Sequence, residues 1–390
     1  RKTMLLTGKK TAIIGGPGGL TLARLLRQRG ADVTVYERDA DRHARQQGAT
    51  LDLHDESGLR ALREAGLLSA FQTHYRPGAD KLRLTDGQAT IVYDQHQETS
   101  ALGFGSEHFR PEIDRGPLRE LLIESLPAGT IVWNSRLRTL TPAGSGWQLT
   151  FENGTTASAD LVIGADGANS KVRPLVTPLP PFFTGFTVVE GNVYDAARQA
   201  PALWALVRGG KVFALDGKQS IILSAKGDGS LSFYTCQPSA ETWVQDSGPD
   251  FQNPKQVAAW FARDFAAWSP VWRELFTAAE VYFVPRPQYC MPLDQHWNAQ
   301  PNITLLGDAA HLMPPYAGEG VNMAMLDALE LSNYLTSAEF PSIGQAIGHY
   351  ETAMRRRAAE AANMSIVSMQ QLHSPGGLAW MSQLVGTHAD

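Results

Sequence analysis

Apolar and polar positions along the chain fall into two textures. In the first, short apolar runs alternate with helical spacing. Thr11–Gly15 reads as a buried strand, a Gly/Pro turn follows, and Leu20–Arg29 reads as a helix ended by Gly30. Asp32–Glu37 (DVTVYE) alternates like the next strand of a βαβ unit. Gly58–Ala65 and Pro117–Leu126 have helical spacing, whereas Trp147–Glu152 and Asp160–Ile163 are strand-like, with Asn153-Gly154 between them as a hairpin turn signal. The second texture runs from about Phe186 to Tyr289. There Thr187–Val193, Lys211–Leu215, Ser220–Ala225 and Leu231–Thr235 are short, alternating and punctuated by glycine, which predicts an antiparallel sheet. Val257, Phe261, Phe265 and Trp268 recur at helical spacing and predict one helix against that sheet. Asn302–Leu306 returns to the buried-strand style, and a helix starts near Val321. Ser342–Leu372 predicts a long helix with Ile343, Ile347, Tyr350 and Met354 along one stripe. Ser374-Pro375-Gly376-Gly377 breaks it before a last apolar segment, Leu378–Val385.

The expected fold is therefore α/β. A discontinuous Rossmann-like domain would take residues 1–176 and 291–340, an inserted antiparallel-sheet domain 177–290, and a C-terminal helix bridging the two 341–390. A length of 390 residues suits such a multi-unit chain. The net charge of −5 offers no basic footprint, so neither nucleic acid nor a membrane surface is expected as a partner. Only Cys236 and Cys290 are present, without CxxC or His/Cys spacing, so no disulfide framework and no metal site is expected. No apolar run reaches the ~18 residues of a membrane span, and Arg1–Lys10 carries no signal-peptide apolar core, which makes the cytoplasm the expected location.

Three motifs carry chemistry. The first is the turn Gly15-Gly16-Pro17-Gly18-Gly19 between strand and helix, where Gly16 and Gly19 let the backbone approach a pyrophosphate at a helix N-terminus. Glu37, 18 residues after Gly19, stands where a carboxylate can accept the hydroxyls of an adenosine ribose. Counting back from Gly19, the second glycine of GxGxxG falls on Gly16 but the first falls on Ile14, so the loop is one residue short. Alone, it is equally an ordinary Gly-rich βα turn. The second motif, Asp160–Ser170 followed by Lys171-Val172-Arg173, runs from a buried strand through an Asp-Gly turn to a capped helix. The third is Gly307–Asn322, after a strand and before a helix. Asp308 suits the hydroxyls of a ribityl chain, and the turn Gly318, Gly320, Val321, Asn322 would aim helix N-terminal amides at a negatively charged ring edge.

In this order, the three motifs resemble those of the group A flavin monooxygenases of the para-hydroxybenzoate hydroxylase type, over nearly the whole chain. Val35–Asp39, Thr50–His54, Glu112–Arg115 and Gly307–Asn322 are most similar to the tetracycline-inactivating members. The resemblance implies FAD as cofactor, with Glu37 and Arg38 at its adenosine half and Asp52, Arg115 and Asp308 further along. It implies NADPH or NADH as a transient reductant, with Arg45 where the family places a residue for it and no second Rossmann fingerprint. It also implies hydroxylation of a small ring-shaped molecule, aromatic or polyketide, through a flavin C4a-hydroperoxide formed with O2. Tetracycline and an antibiotic-resistance role are candidates, and a monomer is expected.

The flavin would be the reactive group, and no catalytic acid or base is compelling among the side chains. On the substrate sheet, the tetracycline-inactivating enzymes use Gln, Arg, Asn and His where this chain has Glu190, Lys211, Ser224 and Ser232, so its pocket chemistry differs. Phe213 and Tyr234 suit a flat ligand, and Pro315 and Tyr316 would form the wall where flavin meets substrate. His311 reads as a bonded loop residue because nothing nearby in sequence orients it, and Ser170 lacks the GxSxG elbow. Met364, Met369 and Met381 read as core filler, and Arg355-Arg356-Arg357 as a solvated face. Two alternatives stay open: a flavoprotein that inserts no oxygen, and a non-enzymatic protein that sequesters a small molecule.

Overall fold

The computed structural model describes residues 4–44, 46, 48–98, 102–278 and 281–386. The fold is α/β, with a Rossmann-like part and a separate, mainly antiparallel sheet. A five-stranded parallel sheet runs in the order Ile303–Leu305, Leu161–Gly164, Lys10–Ile14, Asp32–Tyr36, Ile131–Val132. Its central strands read KTAII and LVIG and are buried at every position after Lys10, leaving no wet side to alternate toward; Tyr36 of the neighbouring strand stacks on Phe151 of a separate antiparallel sheet. Pro17–Gln28 follows the first strand with Pro17 at its first position, where a missing N–H costs nothing. Gly320–Thr336 packs along that helix.

The seven-stranded sheet has the order Val281–Cys290, Phe182–Val193, Leu231–Pro238, Gln219–Ala225, Lys211–Asp216, Leu82–Thr85, Ile91–Asp94. The last two strands come from the N-terminal third, where the sequence pattern did not reveal them, and Leu82–Thr85 pairs parallel to Lys211–Asp216. One face of the sheet packs on a core of Val257, Trp260, Phe261, Phe265, Trp268, Trp272 and Phe276. The helix carrying the first of these is Pro254–Asp264, capped by Asn253; Phe265 and Trp268 continue into the core beyond its end. The opposite face carries the polar and aromatic positions that matter below.

The turn Asn153-Gly154 does not join the strands expected. It links Gly146–Phe151 to Thr156–Ala159, within a three-stranded antiparallel sheet, whereas Leu161–Gly164 belongs to the parallel sheet. Thr156–Ala159 escaped notice because its side chains are small and mostly exposed. The tail folds as Ile343–Leu372, 30 residues long, then Gly377–Gly386. The long helix packs on Gly320–Thr336, and its C-cap, His373, bonds Ser220 of the seven-stranded sheet at 2.7 Å, so it spans both sheets. Met369 and Met381 are buried, but Met364 is 53% exposed and fills no core. Cys236 and Cys290 are both buried and free. No helix among the described residues is long and apolar enough to cross a membrane.

Candidate active site

The cofactor cleft is built from turns at strand ends. Gly15 and Gly16 take φ of 70° and 74°, after which Pro17 opens the helix. A Cβ on Gly16 would lie 2.4 Å from the carbonyl oxygen of Ala165, so only glycine lets this turn pack against the Asp-Gly turn. The first helical amides, at Gly18 and Gly19, have no carbonyl one turn earlier, which leaves them for an anion. The turn is one residue short, yet it still presents a helix N-terminus to the cleft. Glu37 ends the second strand and its carboxylate accepts the Asp39 N–H at 3.2 Å. Arg38, exposed beside it, lines an open surface cavity with Asp39, Asn134 and Arg136.

Asp308 starts the helical turn Asp308–His311, directly after Gly307 at φ 63°. It sits among many protein atoms, and this burial raises its pKa, yet its side chain remains exposed. That surface therefore belongs to an interior cleft, which the carboxylate faces. The turn is held from two sides. Asp327 accepts the Gly307 N–H at 3.0 Å and the His311 Nε2–H at 2.5 Å, and Arg357 donates to Asp327 at 2.7 Å. Arg173 donates to the carbonyls of Ala309 and Ala310 at 3.1 and 2.9 Å. Burial opposes a charge on His311, but Asp327 outweighs it and raises the pKa.

Gly318, at φ 65°, turns the chain into the helix Gly320–Thr336. Asn322, fully buried, clamps this turn to the segment after Leu51–Asp52. Its Oδ1 accepts the N–H groups of His54 (2.9 Å) and Gly58 (3.2 Å), and its Nδ2 donates to the carbonyls of Asp52 (2.8 Å) and Gly318 (3.3 Å). Asn322 therefore spends its side chain inside the protein, and the first-turn backbone amides of Gly320, Val321 and Asn322 are left to face a ligand. The Asp52 carboxylate lies against Gly318, 3.4 Å from where a Cβ would stand. His54 bonds it at 3.0 Å and has Glu319 at 3.5 Å on the other ring nitrogen. Arg115 donates Nε–H to the Ala49 carbonyl at 2.8 Å. Arg45 lies outside the described residues.

Strand register sorts the free face of the seven-stranded sheet into rows. One row crosses Val284, Glu190, Tyr234, Ile222, Phe213 and Leu84. Tyr234, Ile222 and Phe213 are only partly buried, a contiguous apolar strip beside Tyr316. The next row crosses Asn192, Ser232, Ser224 and Lys211. Ser224 and Ser232 are buried there, and in the row beside them the Tyr234 hydroxyl accepts the Ala49 N–H at 3.1 Å. Glu190 is buried too and its carboxylate is paired with Arg286. Lys211 is paired with Glu112.

A cleft with a helix-start turn, an interior carboxylate on a Gly-Asp turn and a second helix N-terminus has the parts that FAD requires. The family described as FAD binding domain matches residues 9–215 and 292–365. The chain belongs to this family of FAD-dependent monooxygenases. The monooxygenase asqM of Emericella nidulans is 30% identical over 91% of this chain and 94% of its own length. The 3-amino-4-hydroxybenzoate 2-monooxygenase PtmB3 of Streptomyces platensis is 29% identical over 94% and 89%. Among solved structures, the tetracycline destructase Tet(55) superposes with a TM-score of 0.76, covering 99% of this chain and 97% of its own, at 16% identity, a likeness of fold.

In this monooxygenase the long-range supports were missed by sequence reading. His311 does have an orienting partner, but Asp327 lies 16 residues on and Arg357 30 residues further. Arg357 is largely buried and Arg355 stacks over Trp297 at 4.8 Å; only Arg356 is the solvated arginine expected. A signal for Asp327 existed: an isolated carboxylate inside the apolar run Met323–Leu329 requires a partner. His54, Glu112 and Arg173 carried no such local mark.

Proposed function

We propose that this FAD-dependent monooxygenase hydroxylates a flat, mostly apolar ring compound held over Tyr234, Ile222 and Phe213, using NADPH or NADH as a transient reductant. The observation that carries this reading is the partly exposed apolar strip of Tyr234, Ile222 and Phe213, with Tyr316 in the same cluster as Phe213. The redox chemistry, acceptance of a hydride and activation of dioxygen, is supplied by bound FAD. One oxygen atom replaces a ring hydrogen with hydroxyl, and the other leaves as water with the two electrons from the nicotinamide.

The chain's own residues bind, orient and exclude water. The amides at Gly18 and Gly19 would meet the pyrophosphate, Glu37 the adenosine ribose, Asp308 the ribityl hydroxyls, and the Gly320 and Val321 amides the electron-rich edge of the ring. Arg38 and Arg115 would add cationic contacts to the same cofactor, and Arg45 to the nicotinamide nucleotide. Burial keeps the Tyr316 hydroxyl protonated well above its ordinary range, so it can only donate or accept a hydrogen bond at the substrate wall. The relatives named for 3-amino-4-hydroxybenzoate and urate support a ring compound, and the buried Ser224 and Ser232 argue for one with few polar groups on its sheet side.

The test is product labelling. Purified enzyme with NADPH, candidate phenols and polyketides, and oxygen-18 gas should yield hydroxylated product carrying one labelled atom. Substrate turnover without label would favour a flavoprotein that inserts no oxygen.

A further inference from the structure

We infer that Lys211 is a positioning residue for the cofactor turn and not an anchor for substrate: Glu112, Lys211, Asp52, His54 and Glu319 form an alternating-charge ladder that ties the substrate sheet to the Gly318–Asn322 turn. The inference rests on the reading of that turn as part of the FAD cleft.

The ladder follows from topology. Asp52 and Glu112 are direct partners in the two-stranded ribbon Leu51–Asp52 with Glu112–Ile113, so their side chains share a face. Lys211 opens the strand Lys211–Asp216 of the substrate sheet and reaches out of it to Glu112, which is 1% exposed. Burial opposes the charges on both Lys211 and Asp52, but each holds the other charged: Asp52 with Glu112 keeps the lysine pKa above its usual value, and Lys211 with His54 keeps Asp52 below its own. Beyond Asp52, the fully buried His54 ring bonds that carboxylate at 3.0 Å and faces Glu319 at 3.5 Å, the residue before the flavin-facing helix. Arg110 is the other cation acting on Asp52 and His54, and Asp80 a further anion acting on Lys211.

Two consequences separate positioning from anchoring. A substrate anion approaching Lys211 would find its ammonium already paired with Glu112 and facing Asp52, and would gain little from it. Removing the ammonium would leave buried Glu112 beside half-buried Asp52 with no lysine between their charges; the two would compete to stay ionised, and the electrostatic hold on Asp52, which lies against Gly318, would weaken. Its effect would reach the cofactor with no substrate present.

The test titrates substrate-free apoprotein with FAD, following flavin fluorescence and the visible spectrum, for wild type, Lys211→Gln, Lys211→Arg and the double variant Lys211→Gln with Glu112→Gln. Lys211→Gln should weaken FAD binding at least about tenfold and shift the flavin bands. Lys211→Arg should recover most of the affinity, and the double variant part of it, because it removes the unpaired carboxylate as well as the cation. Unchanged FAD affinity and spectrum in Lys211→Gln, with a raised KM for an acidic ring substrate, would overturn the inference in favour of an anchor. If that variant does not fold, NMR titration of His54 in wild-type apoprotein decides: the ladder requires a ring still protonated up to about 9, and a ring titrating near 6.5 overturns it. Wild-type protein that takes up no FAD would instead refute the cleft itself, before any variant is compared.

Discussion

The cofactor cleft and the substrate face are built by different means. Each turn proposed to hold the cofactor is short, with glycines, one carboxylate or a helix start standing together: Gly15–Gly19, Gly307–Asp308 and Gly318–Val321. The substrate face is assembled from four strands whose register alone decides which side chains meet, as Tyr234, Ile222 and Phe213 do across three of them. A turn can be recognised by its own residues. A row across a sheet cannot, because a shift of one residue would turn every member to the other face.

This difference predicts two classes of variant: those in turns should change FAD binding in the absence of substrate, and those in the row should change KM with FAD binding intact. The largest effect is expected from Asp327→Ala, which strips Gly307, His311 and Arg357 of their shared acceptor inside the protein. A loss of about 3–5 kcal/mol in denaturant unfolding is expected, with FAD affinity falling in parallel. Retained FAD affinity would show that the Asp308 turn needs no such support. Next is Gly16→Val, with a branched side chain at φ 74° driven into the Ala165 carbonyl; about 2–4 kcal/mol should be lost, and flavin content with it.

Changes in the row should be milder. Phe213→Ala should raise KM for a ring substrate while the purified protein stays yellow. If it instead loses flavin, the two regions are not separable in the way the register implies. A pH effect comes next in size. Asp52 and Glu319 outweigh burial and raise His54 from 6.5 to about 9, so its contribution to stability is complete below about pH 6.5 and lost as pH rises through 9. Burial also pushes Glu112 up to about 7, against the pull of Lys211, which costs stability increasingly from its ordinary 4.5 up to 7. Apoprotein urea midpoints should therefore fall between pH 6.5 and 9, and a flat profile would remove the imidazolium. Arg356→Ala, on the exposed side of the long helix, should change stability by less than about 0.5 kcal/mol.

Much of this protein was legible in its sequence. The Rossmann-like strands, the long tail helix and the three motifs are local patterns, set by spacing between apolar residues and by glycines that no other residue can replace at Gly16. Membership among flavin monooxygenases follows from those same residues. What the sequence did not disclose depends on segments far apart in the chain. Leu82–Asp94 joins a sheet whose other strands begin a hundred residues later, and Thr156–Ala159 takes the hairpin turn assigned to its neighbour. Arg357, one of three consecutive arginines, is neutralised by Asp327, 30 residues away, while Arg356 beside it points to solvent. Lys211 looks like a pocket cation until the ribbon of Asp52 and Glu112 is folded over it. Charge and burial are properties of the neighbours a residue meets, and tertiary structure alone chooses those neighbours; the sequence by itself determines the backbone turns, because their physics is complete within a few residues.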